Sequence, residues 1–187
     1  MTEPSLPEKV VAIDDCLREA KIAHAFGGAL ALASYAEPRA TIDVDVNVFL
    51  EAARHPEVLA ALAKLGVAGD APLERVERDE QCRVFWGATP IDLFYAYHEL
   101  HSAMRRETRQ AQFGGRTVPI LAPEHLIACK AIFNRPKDWL DIEQILVGAL
   151  DTDSSEVTGW LDRIVGADDP RTQRFAELGR RLSRSPS

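Results

Sequence analysis

A ten-residue segment in the first third of the chain alternates apolar and polar side chains, and it constrains the fold more than any other feature. The segment Thr41–Leu50 has a period of two, which is typical of a β-strand with one face buried. The apolar side chains predicted to face the core are Ile42, Val44, Val46 and Val48. The polar side chains predicted to share the opposite face are Thr41, Asp43, Asp45 and Asn47. The segment therefore predicts a strand with two carboxylates on one face.

The two carboxylates of this predicted strand, Asp43 and Asp45, are two residues apart and lie roughly 7 Å from one another at the backbone. They repel one another unless a cation lies between them, and strands disfavour Asp in any case. Magnesium is a suitable cation, because it binds a few carboxylates together with phosphate oxygens and water. An Asp-x-Asp pair is equally compatible with a solvated strand face, so this segment alone leaves both interpretations open.

Two further features help to decide between a metal site and a solvated strand face. Gly27-Gly28 follows a short apolar run, Ile22–Phe26, that predicts a buried strand, and it precedes a predicted helix over Ala29–Ala36. Such a turn either lets backbone N–H groups approach a phosphate or simply permits a tight bend. Asp92 interrupts a predicted apolar strand over Ile91–Tyr95, so it is either a third carboxylate of the same site or a stray strand-end acid.

Together these features resemble the nucleotidyltransferase superfamily, the polymerase-β-like minimal transferases. The stretch from Ala25 to Gly28, followed by Arg39-x-Thr41-x-Asp43-x-Asp45, most resembles the branch that holds toxins of type IV toxin–antitoxin and phage-abortive systems. Downstream, Leu126–Lys130 and Arg135–Asp141 resemble the helical Lys…Arg…(Lys/Arg)-Asp…Asp segment of that branch. The resemblance spans residues of about 22 to 146. Many members have Gly-Ser where this chain has Gly-Gly, so a serine contact with phosphate is missing here.

The resemblance implies a Mg²⁺ (or Mn²⁺) site that holds a nucleoside triphosphate. The implied metal ligands and catalytic residues are Asp43, Asp45 and Asp92. The residues implied to bind the nucleotide are Gly27, Gly28, Arg39, Thr41 and Lys130. Arg39 either contacts the nucleotide or pairs with Asp43 or Asp45. Two acids, Asp138 and Asp141, follow Lys130 in the sequence. One of them is expected to orient Lys130 or an arginine.

The implied activity is transfer of a nucleoside monophosphate to a hydroxyl of an RNA, a protein or a small molecule such as an aminoglycoside. The resemblance also implies an antitoxin protein as a partner. One alternative to the transfer activity is therefore a protein that acts chiefly by binding its antitoxin. The other alternative is a catalytically inactive nucleotide-binding or regulatory module with the same fold. Five C-terminal arginines against Glu177 either contact RNA phosphates or form a solvated basic tail. These arginines are Arg171, Arg174, Arg180, Arg181 and Arg184.

The order of predicted elements indicates an α+β fold, with a small mixed sheet flanked by helices over residues 1–121 and a helical bundle over residues 122–187. The other predicted strands are Glu74–Arg78, Cys82–Trp86, Ala111–Phe113 and Thr117–Leu121, the last two forming a hairpin around Gly114-Gly115. The other predicted helices are Glu8–Ala20, Pro56–Leu65, His98–Arg106, Pro123–Phe133, Asp138–Leu150, Ser155–Val165 and Pro170–Leu182. The last five residues, Ser183–Ser187, are expected to fray.

Composition adds limits on partners and location. A net charge of −7 argues against a protein that coats long nucleic acids, because that requires a basic surface. No apolar run approaches the roughly 20 residues that cross a bilayer, and the N-terminus lacks the basic start of a signal peptide. The sequence therefore predicts a cytoplasmic protein without a membrane partner.

Overall fold

The computed structural model describes residues 3–184 of the chain. Six strands form one sheet: β1 (His24–Phe26), β2 (Val44–Val48), β3 (Gln81–Trp86), β4 (Thr89–Tyr95), β5 (Arg109–Phe113) and β6 (Arg116–Ile120). The helices are α1 (Leu6–Glu19), α2 (Gly28–Leu32), α3 (His55–Leu62), α4 (Leu73–Asp79), α5 (Glu99–Arg106), α6 (Pro123–Phe133), α7 (Pro136–Gly148), α8 (Ser154–Ile164) and α9 (Pro170–Arg184). Short 3₁₀ turns at Ala52–Arg54 and Ala63–Leu65 flank α3.

The sheet is mixed, with the strand order β3-β4-β2-β1-β6-β5. Two antiparallel hairpins, β3–β4 and β5–β6, form its two edges, and the central β1 and β2 are antiparallel to one another. Parallel pairing joins β2 to β4 and β1 to β6. The predicted α+β fold with a small mixed sheet and C-terminal helices is confirmed.

The core side of the sheet is apolar because alternate residues of each strand point to it. The fully buried side chains of β2 and β4 are Val44, Val46, Val48, Ile91, Leu93 and Tyr95. Helix α1 buries Val10, Ile13 and Leu17, which are spaced by three or four residues and therefore lie on one helix face. The apolar faces that the period-two and period-3.6 patterns predict are therefore buried in the structure.

The described residues divide into two compact units. One consists of residues 3–30 and 40–121, and it contains the whole sheet. The other consists of residues 31–39 and 122–184, so a short early segment belongs with the C-terminal helices. Within this second unit, α7 ends against that segment, because a Cβ added at Gly148 would overlap the carbonyl oxygen of Tyr35.

The predicted strand over Glu74–Arg78 is wrong, because these residues lie in α4. The segment offers a single fully buried apolar side chain, Val76, which does not supply the alternating apolar face that a strand needs. Pro72 at the N-cap and an Arg75–Asp79 ion pair at 3.4 Å, one helical turn apart, suit a short surface helix.

The strand predicted over Thr41–Leu50 is shorter than expected. It begins at Val44, so Ile42 is 78% exposed instead of facing the core. The ladder with β4 begins where Val44 pairs with Ile91. The preceding residue of β4 is Pro90, which has no backbone N–H to extend the ladder.

Several helices differ by a few residues from their predicted ends, and α2 and α9 are two of them. Helix α2 is shorter than the predicted Ala29–Ala36, because the N–H groups of Ser34 and Tyr35 bond three residues back and tighten the chain into turns. At the C-terminus, α9 continues through Ser183 and Arg184, while residues 185–187 of the segment expected to fray lie outside the described residues. Among residues 3–184, no helix combines the length and apolar character that crossing a bilayer requires.

His55 gives the stability of the fold a pH dependence. Its ring is buried, Nδ1 lies 2.6 Å from the Tyr95 hydroxyl, and burial lowers the pKa of His55 below 6.5. The unfolded chain therefore takes up a proton that the folded chain resists. We expect the stabilisation to be complete above pH 6.5 and to be lost as the pH falls below it.

Urea unfolding between about pH 7.5 and about pH 5 would measure this effect. His55→Gln should be less stable throughout but should show a shallower decline over the same range. An unchanged decline in the variant would show that His55 does not carry the dependence.

Candidate functional site

Two of the predicted site carboxylates lie side by side in the sheet. Asp45 of β2 pairs with Asp92 of β4 in the parallel ladder. Paired residues of neighbouring strands point to the same face, and such strands lie about 4.8 Å apart. The core side is taken by Val44, Val46 and their partners, so both acids lie on the other face and are half-buried. The register therefore brings together residues that are far apart in the sequence.

The third carboxylate, Asp43, lies immediately before β2. The hydroxyl of Thr41 donates a hydrogen bond to Oδ1 of Asp43, which holds the carboxylate where the chain enters the strand. Thr41 is thus a positioning contact for an acid in the same loop. The sequence placed both residues on the strand, but the structure places them in the segment that leads into it.

One arginine pairs with Asp92 and is influenced by the charges of the other two acids. Arg83 of β3 lies opposite Asp92 and donates from Nε to Oδ1 and from Nη2 to Oδ2, both at 2.7 Å. These hydrogen bonds and the charge of Asp92 raise the pKa of the Arg83 guanidinium, and the charges of Asp43 and Asp45 add to the shift. The three carboxylates therefore lie within electrostatic reach of a single guanidinium.

The sequence reading missed Arg83, although a signal for it exists. A tight turn at Gly87-Ala88 sets Trp86 opposite Thr89, and three pairs further along the hairpin Arg83 falls opposite Asp92. Counting back from the turn therefore pairs the only charged residues of β3 and β4. The sequence analysis predicts both strands but no hairpin turn between them, so it does not predict this pairing.

The glycine pair packs directly on the first strand carboxylate. The N–H of Gly27 donates to the carbonyl of Asp45 at 2.9 Å. Gly28 has a φ of +53°, and a Cβ added there would overlap Oδ2 of Asp45. A Cβ at Gly27 would lie 2.8 Å from Nδ2 of Asn47. A serine at position 28 would therefore require the Asp45 carboxylate to move from its present position.

The second unit holds a separate ionic cluster. Nζ of Lys130 lies 2.6 Å from Oδ2 of Asp141, and Nη2 of Arg39 lies 3.2 Å from the same oxygen. Lys130 and Asp141 are buried, whereas the side chain of Arg39 is 41% exposed. Asp141 thus orients Lys130, as the sequence suggested for one of two acids, and it is also the ion-pair partner of Arg39. Two cations on one carboxylate leave an excess positive charge.

Other sequence features have structural explanations. The imidazole of His98 accepts a hydrogen bond from the N–H of Leu100 and caps α5, which accounts for the His98-x-x-His101 spacing. Three of the five C-terminal arginines have intramolecular contacts. These contacts are Arg171 with Asp169, Arg181 with Glu143, and the Arg174 guanidinium over the Trp139 ring.

The carboxylate cluster suits a hard divalent cation. Its donors, Asp43, Asp45 and Asp92, are oxygen ligands, which Mg²⁺ and Mn²⁺ prefer over nitrogen and sulfur. Two of them are neighbours on adjacent strands, and the third is held by Thr41 at the end of one of those strands. The donor chemistry therefore fits the metal that the resemblance implies, while the ligand oxygens of these three acids do not all lie within 4.8 Å of one another.

Solved structures share this architecture. No family model and no curated protein matches the chain. A solution structure of the antibiotic-resistance factor ANT(2″)-Ia aligns over 94% of this chain and 96% of its own, with a TM-score of 0.57 and 18% identity. A crystal structure of ANT(2″)-Ia with adenylyl-2″-tobramycin aligns over 94% and 98%, with a TM-score of 0.52 and 17% identity. The chain has the nucleotidyltransferase fold.

A third solved structure supports the same conclusion about fold. The lincosamide antibiotic adenylyltransferase LnuA with bound lincomycin aligns over 74% of this chain and 94% of its own, with a TM-score of 0.50 and 12% identity. These proteins are an antibiotic-resistance factor and an antibiotic adenylyltransferase, whereas the sequence most resembles a toxin branch. At identities of 12–18%, the likeness to these structures shows the fold of the chain.

The close approach of Gly28 to Asp45 predicts a specific cost for a side chain at that position. Gly28→Ala and Gly66→Ala both place a Cβ at a left-handed residue, which costs about 1–3 kcal/mol. A Cβ at Gly66 meets nothing within 4 Å, but one at Gly28 meets the carboxylate. We expect Gly28→Ala to lose about 1–3 kcal/mol more in urea unfolding. Equal losses would contradict the close contact.

The Lys130–Asp141 pair predicts an asymmetric response to mutation. Asp141→Asn leaves the buried Lys130 ammonium without its carboxylate, and we expect a loss of about 3–5 kcal/mol in the free energy of unfolding. Lys130→Met should cost less, because Arg39 remains to neutralise Asp141. Urea unfolding of both variants would measure the difference, and a costlier Lys130→Met would refute this account.

Proposed function

We propose that this chain is a metal-dependent nucleotidyltransferase that moves a nucleoside monophosphate from a nucleoside triphosphate to a hydroxyl acceptor. The observation that carries the proposal is the parallel pairing of Asp45 with Asp92, with Asp43 held at the start of β2. A solvated strand face would account for one exposed acid on a strand. It does not account for two half-buried acids side by side, one of which packs against the glycine turn so closely that a Cβ at Gly28 would overlap its carboxylate.

In this proposal, Asp43 and Asp45 would hold two Mg²⁺ (or Mn²⁺) ions, and Asp92 would hold the one nearer the acceptor. Bound metal would neutralise the charge that develops on the attacking and leaving oxygens. The acceptor hydroxyl loses its proton with the help of Asp92, and its oxygen bonds to the α-phosphorus. The bond from that phosphorus to the bridging oxygen breaks, and pyrophosphate leaves.

The triphosphate needs cationic and N–H donors, and the chain offers both. The turn at Gly27-Gly28 would bring backbone N–H groups to the phosphates, since it has no side chain to obstruct them. Lys130 and Arg39 share the single carboxylate of Asp141, and their excess positive charge suits an anionic group. We therefore assign Lys130 and Arg39 to triphosphate binding.

Among acceptors, we propose a small molecule with a free hydroxyl. The solved structures of similar fold include one with adenylylated tobramycin and one with bound lincomycin. The RNA alternative relied on the C-terminal arginines, and three of these already have intramolecular contacts. A toxin role with an antitoxin partner is supported by the sequence resemblance alone.

The alternative of an inactive nucleotide-binding module also has an observation in its favour. Arg83 donates a hydrogen bond to each oxygen of Asp92, and such a strong ion pair could serve as the resting partner of an acid that binds no metal. An inactive module would bind the triphosphate without releasing pyrophosphate, so a transfer assay separates the two functions.

The test is transfer of label from each α-labelled nucleoside triphosphate, in the presence of Mg²⁺, to tobramycin, lincomycin, total RNA or the protein itself. We expect label on a small molecule with the wild type and a loss of at least about 100-fold with Asp92→Asn, because a catalytic metal ligand is lost. Asp79→Asn, which changes an exposed acid of α4, should retain activity.

The folded state of each variant would be checked by thermal unfolding, since Asp92→Asn is expected to remain folded. Wild-type activity in Asp92→Asn would refute the proposal. Label on RNA alone would replace the small-molecule acceptor with RNA. Triphosphate binding that raises the melting temperature only with Mg²⁺, but without pyrophosphate release, would favour the inactive module.

A further inference from the structure

Arg83 has no role in the chemistry described above, yet it makes the most regular contact of the acidic cluster. Its two hydrogen bonds to Asp92 are equal at 2.7 Å, which is the fork geometry of a strong arginine–carboxylate pair. The side chain of Arg83 is 53% exposed and that of Asp92 is 19% exposed. Because the guanidinium is exposed to solvent, the ion pair contributes little to folding, so stability is a weak reason for its geometry.

The contact restricts Asp92 without removing it as a metal ligand. Each carboxylate oxygen has two lone pairs, and the guanidinium takes one from each oxygen. The remaining lone pairs stay available to a cation. Because both oxygens are held, the plane of the carboxylate is fixed, and a single-point donor such as lysine would leave it free to rotate.

The charge of Arg83 also changes the net charge of the acidic cluster. Asp43, Asp45 and Asp92 together carry three negative charges when ionised, and Arg83 adds one positive charge through its pair with Asp92. An arginine remains protonated at any ordinary pH, so this cation is permanent. A divalent ion that approaches Asp92 must therefore bind beside a fixed positive charge, which weakens its binding.

We propose that Arg83 is a positioning residue with two effects on the metal site. Its fork orients the Asp92 carboxylate, and its charge lowers the affinity of the acidic cluster for free divalent cations. The inference rests on the proposed function, since it takes Asp43, Asp45 and Asp92 as metal ligands. It predicts that charge and geometry can be separated by two substitutions at the same position.

The experiment is a titration of the full chain with Mn²⁺, in which the free ion is measured by electron paramagnetic resonance. Arg83→Gln removes the charge, and we expect its Mn²⁺ dissociation constant to fall about tenfold. Arg83→Lys keeps the charge, so its dissociation constant should stay near that of the wild type. Arg78→Gln removes an arginine that pairs with Asp79 on α4, and it should bind like the wild type.

A second readout tests the orientation of Asp92. In the transfer assay, Arg83→Lys should lower kcat about tenfold with little change in KM for the triphosphate, because a lysine cannot hold both oxygens. A purely structural Arg83 would instead lower the melting temperature of both variants and leave the Mn²⁺ affinity of the folded protein unchanged.

The outcomes separate this inference from the function on which it rests. If Asp45→Asn abolishes Mn²⁺ binding while Arg83→Gln binds no more tightly than Arg78→Gln, the inference about Arg83 is overturned and the metal site stands. If the wild type and all variants fail to bind Mn²⁺, the proposed metal-dependent function is overturned as well. Tighter binding in Arg83→Gln alone supports the inference.

Discussion

The parallel pairing of β2 with β4 is the constraint on which the candidate site depends. The register sets Asp45 beside Asp92, because a shift of one residue would turn one of these acids toward the core. Buried valine and leucine side chains fix that register from the opposite face of the sheet, since slipping the strand would expose them. The hydrophobic core therefore determines the geometry of a polar cluster with which it shares no side chains.

Gathering acids on one sheet face is electrostatically unfavourable, and the surrounding structure offsets the repulsion in three ways. Arg83 supplies a fixed cation, Thr41 donates a hydrogen bond to Asp43, and the glycine turn lets the backbone pack against the Asp45 side chain. Each arrangement uses a residue from a different part of the chain. The cluster is thus a product of the tertiary fold, and none of its members would be distinctive alone.

Local pattern was sufficient to predict most elements, and it failed where another constraint was stronger. The period-two pattern predicted β2 but could not show that Pro90 ends the ladder at Val44, because that depends on a neighbouring strand. The short segment of α4 was misread as a strand because it has one buried apolar residue, Val76, and therefore no clear period.

The candidate site was predictable to the extent that it follows from strand alternation. Asp45 and Asp92 each interrupt an apolar strand, and the resemblance suggested that they meet. Arg83 could not be recognised without the register of the β3–β4 hairpin, and the partner of Arg39 could not be recognised without knowing that residues 31–39 pack with the C-terminal helices. Local sequence pattern carries no information on which distant segments pair, so these contacts could not be predicted from it.

The discontinuous second unit has a consequence for synthesis on the ribosome. Residues 31–39 leave the exit tunnel about a hundred residues before their partners. In the folded chain, Arg39 pairs with Asp141 and Tyr35 packs against Gly148. The nascent chain can close its sheet once β6 has emerged, since all six strands precede residue 121. The early segment cannot make these contacts until Asp141 and Gly148 have emerged, so the helical unit folds after the sheet unit has all of its strands.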